Sequence, residues 1–266
     1  MSLELLFGCY ATILGLLVGS YLNVVIYRLP LGISTVLPRS RCPACEAAIR
    51  AWDNVPVLSY LLLRGHCRAC RAAISPRYPL IEGTTALLFL GCFLRFGFAW
   101  AAVAAALFCA LMVALAMIDL DHMILPDVLT WPGVAAGILL QPLVTWASPG
   151  AAGPWRAMAG GVLGAAVGAG ILLAVWGGWY LLRHEEGMGL GDVKMLAAIG
   201  AFLGWRGVLV SLFLGALSGA VVGLGVMAWR GGDLKSKLPF GTFLALGGLI
   251  ALFAGEWIVA AYVRLL

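Results

Sequence analysis

The sequence predicts an all-α polytopic membrane protein with about eight transmembrane helices, and three observations carry that prediction. The chain has 266 residues, of which 63% are hydrophobic and only 11% are charged, and its mean hydropathy is +1.02. Its apolar residues fall into long runs, and a helix needs about 20 such residues to cross a hydrocarbon core. Charged residues concentrate between these runs. Ordinary soluble domains have a smaller apolar share.

The apolar runs predict the order of the helices. We expect spans at about 3–27, 79–97, 99–118, 128–147, 157–182, 193–204, 207–229 and 240–263. The run 193–204 is too short to cross a full core, so it should be tilted, buried by its neighbours, or beside a local thinning of the bilayer. Glycines at four-residue spacing predict close helix packing at two sets of positions: Gly160, Gly164 and Gly168, and Gly215, Gly219 and Gly223.

Residues 28–78 form a polar segment that is rich in arginine. It holds Arg28, Arg39, Arg41, Arg50, Arg64, Arg68, Arg71 and Arg77. Because cytoplasmic loops are enriched in Lys and Arg, we expect this segment in the cytosol and both chain termini outside. Clustering of the cations in one loop, rather than along a binding stripe, predicts no nucleic-acid partner. The first run lacks a basic n-region, so we interpret it as a retained helix and not as a signal peptide.

The same polar segment carries two C-x-x-C pairs, Cys42 with Cys45 and Cys67 with Cys70. Their separation is close to the spacing of a four-cysteine zinc site, in which each pair presents two thiolates to one metal. Disulfides are rare in the cytosol. A structural zinc is therefore the preferred interpretation, and two redox motifs or unreactive thiols are the alternatives.

Two aspartate-bearing stretches lie at the ends of apolar runs. One is Ile118–Asp127, with Asp119, Asp121 and Asp127, and the other is Gly187–Lys194, which has three glycines before Asp192. The predicted topology puts Asp119 and Asp192 at the same cytosolic edge. Two carboxyl groups brought together can share a proton, one activating water while the other polarises a carbonyl. That arrangement predicts aspartic proteolysis, and proton relay in a transporter is the alternative.

Together these residues resemble the type IV prepilin leader peptidases, the GxGD-type intramembrane aspartic proteases of bacteria. Both aspartate stretches and the paired C-x-x-C motifs are similar to motifs of that family. So are three further stretches, which comprise Gly19-Ser20-Tyr21-Leu22-Asn23 with Arg28-Leu29-Pro30, Arg77-Tyr78-Pro79-Leu80-Ile81-Glu82, and Leu238-Pro239-Phe240-Gly241. The resemblance covers nearly the whole chain, in order.

The resemblance implies a bifunctional enzyme of the bacterial inner membrane. Such an enzyme cleaves the basic leader of type IV prepilins or type II pseudopilins at the cytosolic membrane edge. It then N-methylates the new N-terminus with S-adenosyl-L-methionine. We assign residues 1–82 to the N-terminal helix and the four-cysteine loop, associated with methyl transfer, and residues 83–266 to the peptidase bundle. Partners are the pilin substrates and membrane lipid, and the oligomeric state is not predicted.

The resemblance also implies roles for individual residues. Asp119 and Asp192 are the expected catalytic pair, with Asp121 as the competitor for the first role. The four cysteines match the zinc ligands. Candidates for the S-adenosylmethionine site are Gly19, Asn23, Arg28 and Glu82.

Several polar neighbours of the aspartates have two interpretations each. Asp127 is expected to cap a helix. Lys194 either acts on Asp192 or substrate, or anchors its helix at the interface. His122 is expected to be a polar edge residue. The pair Glu185 and Glu186 either attracts the basic leader or is simply solvated.

Two other function classes remain open from the residues alone. A proton-coupled transporter would place its carboxylates near the bilayer midplane within internal repeats and broken helices, and neither feature is evident in the sequence. A zinc-stabilised membrane scaffold without chemistry would leave both aspartate motifs unexplained. Cleavage of a prepilin by the purified protein discriminates the peptidase from both.

Overall fold

The structure, a computed structural model, describes residues 3–146, 153–184, 189–230 and 238–265. Within these ranges it is helical apart from turns, loops and two isolated bridges. Seven of the helices are long and apolar enough to cross a membrane, which confirms the all-α polytopic prediction. They are α1 Leu3–Arg28, α3 Arg77–Phe96, α4 Trp100–His122, α5 Asp127–Trp146, α6 Pro154–Arg183, α7 Leu190–Arg230 and α8 Phe240–Val263. A short α2, Leu58–Leu62, and a 3₁₀ turn, Ala51–Asn54, lie between α1 and α3.

The chain divides into two compact units, Met1–Phe98 and Ala99–Leu266. In the first unit, α1 packs along α3 through glycines on one face of α1. A Cβ atom at Gly15 would lie 2.6 Å from the Cα of Ala86, and one at Gly19 would lie 2.7 Å from the Cα of Glu82. Real side chains do not approach a backbone so closely. The contact between these two helices therefore needs glycine at both positions.

In the second unit, α7 is the central helix and packs against α5, α6 and α8. It combines the two predicted spans 193–204 and 207–229 in one element. At Gly204 the backbone leaves the helical conformation, with φ 68° and ψ 179°. The described residues thus form seven long helices, and the break at Gly204 divides α7 into the two segments that the sequence predicted as separate spans. The break lies where the sequence separates the sixth and seventh runs.

The break in α7 is compensated by a side chain from α5. Gln141 donates hydrogen bonds from Nε2 to the carbonyl oxygens of Ala201 and Phe202, each at 3.0 Å. A kink frees carbonyl groups from the helical ladder, and a membrane interior offers no water to bind them. Gln141 thus satisfies carbonyls beside the break at Gly204.

The short predicted span is buried by its neighbours, one of the three alternatives stated above. Met195, Leu196 and Ile199 are each fully inaccessible to solvent. On α6, Gly164 packs against the carbonyl of Gly200, and Gly168 packs against the carbonyl of Leu196. Small residues on both helices allow the backbones to touch, which encloses the N-terminal half of α7.

The glycine prediction is confirmed at five of its six positions. Besides Gly164 and Gly168, a Cβ at Gly215, Gly219 or Gly223 would contact α8 or the residues just before it. It is wrong for Gly160, which faces open space, while Gly161 packs against Ile138 and Gln141. Neighbouring helical residues point about 100° apart. One position along α6 therefore decides whether a glycine meets a neighbour.

Candidate active site

Asp119 lies in the last turn of α4 and is only 5% exposed. The backbone N–H of Thr242 donates to its Oδ2 atom at 2.8 Å. The Thr242 hydroxyl lies 3.2 Å from the same oxygen and 3.0 Å from the carbonyl oxygen of Ala116. The carboxyl group is therefore held by the first turn of α8, which lies far along the chain, 123 residues after Asp119.

The start of α8 is shaped for this contact. Pro239 precedes the helix at its N-cap position and makes no side-chain capping bond. The first N–H groups of a helix have no partner within it. A Cβ at Gly241 would lie 2.9 Å from Asp119 Oδ2, so glycine permits the close approach. Asp119 thus caps α8 from another helix.

Asp192 lies in the first turn of α7, half-buried and close enough to Asp119 for the two carboxyl groups to interact electrostatically. Leu125, in the loop between α4 and α5, joins the two sites. It would lie 3.0 Å from a Cβ at Gly191 and 3.1 Å from one at Gly241. The end of α4 and the starts of α7 and α8 therefore meet around Leu125, and the structure brings the two aspartates together.

The competitor Asp121 and its neighbour His122 are both exposed at the end of α4. Met123, the C-cap of α4, has a φ of 54°, and its N–H donates to the carbonyl oxygen of Asp119 at 2.8 Å. Of the two carboxyl groups in this turn, Asp119 is thus the buried one that faces α8.

Asp127 and Lys194 form an ion pair with each other. The Lys194 Nζ lies 2.5 Å from Asp127 Oδ1, which joins the first residue of α5 to the first turn of α7. Asp127 is also the acidic residue in the first turn of its helix, a favourable place for a negative charge. The predicted leader-attracting pair Glu185 and Glu186, with Gly187 and Met188, lies outside the described residues.

The four predicted zinc ligands form one cluster in the first unit. The sulfur atoms of Cys42, Cys45, Cys67 and Cys70 all lie within 4.8 Å of one another. The sulfurs of Cys42 and Cys70 are 3.8 Å apart. A tetrahedral zinc with Zn–S bonds of about 2.3 Å separates its sulfurs by about 3.8 Å. The cluster could therefore hold such an ion with little movement.

The two halves of the cluster are repeats of each other. Residues 42–49 and 67–74 share the pattern C-x-A-C-x-A-A-I. In each half the backbone N–H of the first cysteine donates to the carbonyl oxygen of the residue five positions later, at 3.0 Å for Cys42 and 2.8 Å for Cys67. The residue after the second cysteine has a positive φ in both, 57° at Glu46 and 62° at Arg71. Sequence reasoning used the cysteines alone and missed the longer repeat, although the signal was present.

The electrostatics of the cluster favour a bound cation. The N–H groups of Ala44 and Cys45 point at the Cys42 sulfur and lower the pKa of that thiol to about 7. The N–H of Ala47 likewise lowers the pKa of Cys45. The neighbouring thiol of Cys70, desolvation of the group and the thiol of Cys42 outweigh it and raise that pKa to about 11. Thiols this close oppose each other's ionisation, and a metal ion removes that conflict.

Three of the four methyl-transfer candidates lie together where α1 meets α3. Asn23 donates from Nδ2 to the carbonyl oxygens of Gly19 at 3.3 Å and Tyr78 at 3.2 Å. Glu82 is buried and accepts the N–H of Val57 at 2.7 Å through Oε2. The fourth candidate, Arg28, lies at the end of α1 and donates to the Ser34 carbonyl at 3.0 Å.

Two residues at these sites escaped the sequence analysis. Thr242 directly follows the Leu238–Gly241 stretch, and a threonine after Pro-x-Gly at a helix start is a local signal that could have been used. Val57 has a φ of 59°, which is unusual for a β-branched residue. No sequence pattern marks Val57, whose N–H contacts Glu82 at a separation of 25 residues.

Two protein-family models match the chain. The bacterial peptidase A24 N-terminal domain matches residues 13–96, and the type IV leader peptidase family matches residues 106–224. The described cysteine cluster falls in the first match, and Asp119 and Asp192 fall in the second. No solved structure matches the chain.

Several curated relatives match along nearly their whole length, and each bears the name prepilin leader peptidase/N-methyltransferase. The protein of Stutzerimonas stutzeri is 38% identical over 99% of this chain and 96% of its own. That of Burkholderia pseudomallei is 42% identical over 92% and 85%, respectively, and that of Aeromonas hydrophila is 39% identical over 93% and 90%. On these matches and the two aspartate motifs within them, the chain belongs to the type IV leader peptidase family.

Proposed function

We propose that this chain cleaves the leader of type IV prepilins or type II pseudopilins and then N-methylates the new N-terminus. One observation carries the peptidase part: Asp119 and Asp192, far apart in sequence, come close enough to interact electrostatically. Membership of the family and the names of its relatives support both activities. They give no support to the transporter alternative.

The chemistry follows from two carboxyl groups sharing one proton. The ionised member accepts a proton from water, which attacks the scissile carbonyl carbon. The protonated member donates to the carbonyl oxygen, so that little charge develops there. Both groups lie at helix ends, Asp119 in the last turn of α4 and Asp192 in the first turn of α7. An apolar pilin helix in the bilayer would present its leader junction at such an edge.

Asp119 is the preferred first catalytic residue over Asp121. It is buried against α8, whereas Asp121 is exposed. A carboxyl group held by neighbouring elements keeps a defined position for catalysis. The predicted pair, Asp119 with Asp192, is therefore retained as the proposed catalytic pair.

Methyl transfer is assigned to residues 1–82 and the peptidase to residues 83–266, although α3, which crosses this boundary, lies within the first compact unit, Met1–Phe98. S-adenosyl-L-methionine supplies the methyl group when bound. Asn23 and Glu82 are buried polar groups within one helix contact and fit a site that needs fixed hydrogen-bonding groups. Gly19 lets the two helices approach there, and Arg28 offers a cation at the end of α1.

We assign Zn²⁺ to the cluster of Cys42, Cys45, Cys67 and Cys70, where it would stabilise the loop between α1 and α3. The arginines of this loop favour the cytosolic side of the bacterial inner membrane. The aspartates would lie at the same edge, with the chain crossing the bilayer several times.

The test is to incubate the purified chain in detergent with a prepilin and methyl-labelled S-adenosylmethionine. Loss of the leader, seen as a mass shift, and label on the new N-terminus are expected together. Asn23→Ala and Arg28→Ala should lower methyl transfer more than cleavage, because both lie in the N-terminal unit. Equal loss of the two activities in both variants would contradict the division between units, and an intact prepilin would contradict the peptidase.

A further inference from the structure

We propose that Thr242 is a positioning residue of the peptidase site that keeps Asp119 as the ionised member of the pair. Asp192 then carries the shared proton. This inference rests on the proposed function, since it takes Asp119 and Asp192 as the catalytic pair. It assigns the two carboxyl groups different parts in the reaction, and it gives the first turn of α8 a part in catalysis.

The hydrogen bonds around the two carboxyl groups are unequal. Asp119 Oδ2 accepts the N–H of Thr242 at 2.8 Å, and the Thr242 hydroxyl lies 3.2 Å from the same atom. Within the part of the chain that the structure describes, the carboxyl group of Asp192 receives no hydrogen bond, and Asp119 is its electrostatic neighbour. Donors that converge on one carboxylate oxygen favour the charged form of that group over its neutral form.

The position of Asp119 at a helix start adds to this difference. The N-terminus of a helix carries a partial positive charge of about half a unit. Helix α8 is 24 residues long, and its N-cap residue, Pro239, supplies no capping oxygen. An anion at Asp119 thus satisfies both the dipole and the free N–H of α8. Asp192, in the first turn of α7, also lies at a helix N-terminus, so the donors from Thr242, and not the dipole alone, distinguish the two carboxyl groups.

The hydroxyl of Thr242 has two acceptors within hydrogen-bonding distance. It lies between the carbonyl oxygen of Ala116 at 3.0 Å and Asp119 Oδ2 at 3.2 Å, and its single proton can serve one of them at a time. When Asp119 is ionised, donation to Oδ2 is favoured, because charge-assisted hydrogen bonds are the stronger ones. The hydroxyl can turn to Ala116 when Asp119 has taken up a proton. This gives the carboxylate a donor that responds to its charge.

The reaction then balances with defined roles. Asp119 removes a proton from water as the water oxygen bonds to the scissile carbonyl carbon, and Asp192 gives its proton to the carbonyl oxygen, forming a neutral gem-diol. In the second half, Asp119 returns its proton to the amide nitrogen as the C–N bond breaks. One hydroxyl of the gem-diol returns a proton to Asp192 as the carbonyl re-forms. Each aspartate ends in its starting state.

The experiment compares Thr242→Val and Thr242→Ser with the unaltered full-length chain in detergent. Valine keeps the shape and the N–H but removes the hydroxyl. We expect Thr242→Val to lower kcat for prepilin cleavage by about 10- to 100-fold, as for loss of a hydrogen bond to a charged group, with KM within about twofold. Thr242→Ser should keep a kcat close to that of the unaltered chain. Methyl transfer to an already cleaved pilin should be unchanged in both.

Thr130→Val is the matched control, because the buried Thr130 hydroxyl has no hydrogen-bond partner among the residues that the structure describes, and its cleavage rate should not fall. Three results would each overturn the inference: an unchanged kcat in Thr242→Val, an equally low kcat in Thr242→Ser, or a joint loss of both activities. Asp119→Asn, measured in parallel, separates the two proposals. If it abolishes cleavage while Thr242→Val does not, only the role of Thr242 fails. If it still cleaves, the catalytic pair itself is wrong.

Discussion

Each unit contains a buried carboxyl group that another segment holds in the same way. In the first unit, Glu82 of α3 accepts the N–H of Val57 at 2.7 Å. In the second, Asp119 of α4 accepts the N–H of Thr242 at 2.8 Å. The difference lies in the third partner. Ser20 interacts with Glu82, whereas Asp119 interacts electrostatically with the second carboxyl group, Asp192.

Burial alone therefore does not make a carboxyl group an acid–base catalyst. A lone buried carboxyl group with polar partners positions backbone or binds a ligand. Two that face each other share a proton, so that one serves as acid and the other as base at the same pH. The second unit therefore has the arrangement for hydrolysis, and the first has one suited to binding. Each change described next affects groups in one of the two units only.

The largest effect is expected from breaking the pair itself. Asp119→Asn and Asp192→Asn should each lower the cleavage rate by about 10⁴-fold or more, because the mechanism needs both members. The double variant should be no worse than either single one, since the residues act as a unit. Single-turnover prepilin cleavage is the measurement. Methyl transfer to a cleaved pilin should persist in all three variants.

Asp121→Asn is the matched control for the aspartates, because it removes an exposed carboxyl group two residues from Asp119. It should retain most of the cleavage activity. Abolished cleavage in Asp121→Asn together with retained cleavage in Asp119→Asn would reverse the assignment of the first aspartate.

The next largest effect is expected from removing the metal, which should disturb one unit only. The purified chain should contain about one zinc, and a strong chelator or Cys70→Ser should release it. Hydrogen exchange should then speed up in the knuckle residues 41–49 and 66–74, whose hydrogen bonds depend on the cluster. The helices of the second unit should keep their protection. Equal protection of the knuckles with and without metal would contradict the structural role.

A smaller effect is expected at Glu82. Glu82→Ala leaves the Val57 N–H without its partner, which should lower stability by about 1–3 kcal/mol. Glu82→Gln keeps an acceptor oxygen and should be closer to the unaltered chain. Thermal unfolding in detergent is the measurement, with methyl transfer expected to fall further than cleavage in the alanine variant. Equal stability of the two variants would show that the N–H contact contributes little.

The smallest effect is expected at the ion pair of Lys194 with Asp127. The Asp127 side chain is 59% exposed, and exposed ion pairs contribute about 0–1 kcal/mol. Lys194→Ala and Asp127→Ala should therefore each change stability little, and their double-mutant cycle should give a coupling within that range. Cleavage should stay near the unaltered rate. A large loss of cleavage in Lys194→Ala alone would instead assign the lysine to Asp192 or to the substrate.

The fold class, the order of the apolar segments and the cysteine cluster could all be predicted from the amino-acid sequence. Membrane helices are recognisable because each must be long and apolar along its own length. The knuckles are recognisable because each pair of cysteines is local, within four residues. The two aspartate motifs could likewise be found, since a carboxyl group at the end of an apolar run is conspicuous.

The groups that those residues contact depend on how the helices pack, and the sequence did not reveal them. Thr242 lies 123 residues from Asp119, Lys194 lies 67 from Asp127, and Gln141 lies 60 from Ala201. Such contacts depend on the rotation and offset of packed helices, which local periodicity does not determine. The break in α7 at Gly204 likewise involves a distant residue, because Gln141 of α5 bonds the carbonyl oxygens of Ala201 and Phe202 beside it. The division of roles between Asp119 and Asp192 therefore depends on how α8 packs, although both residues can be found in the sequence.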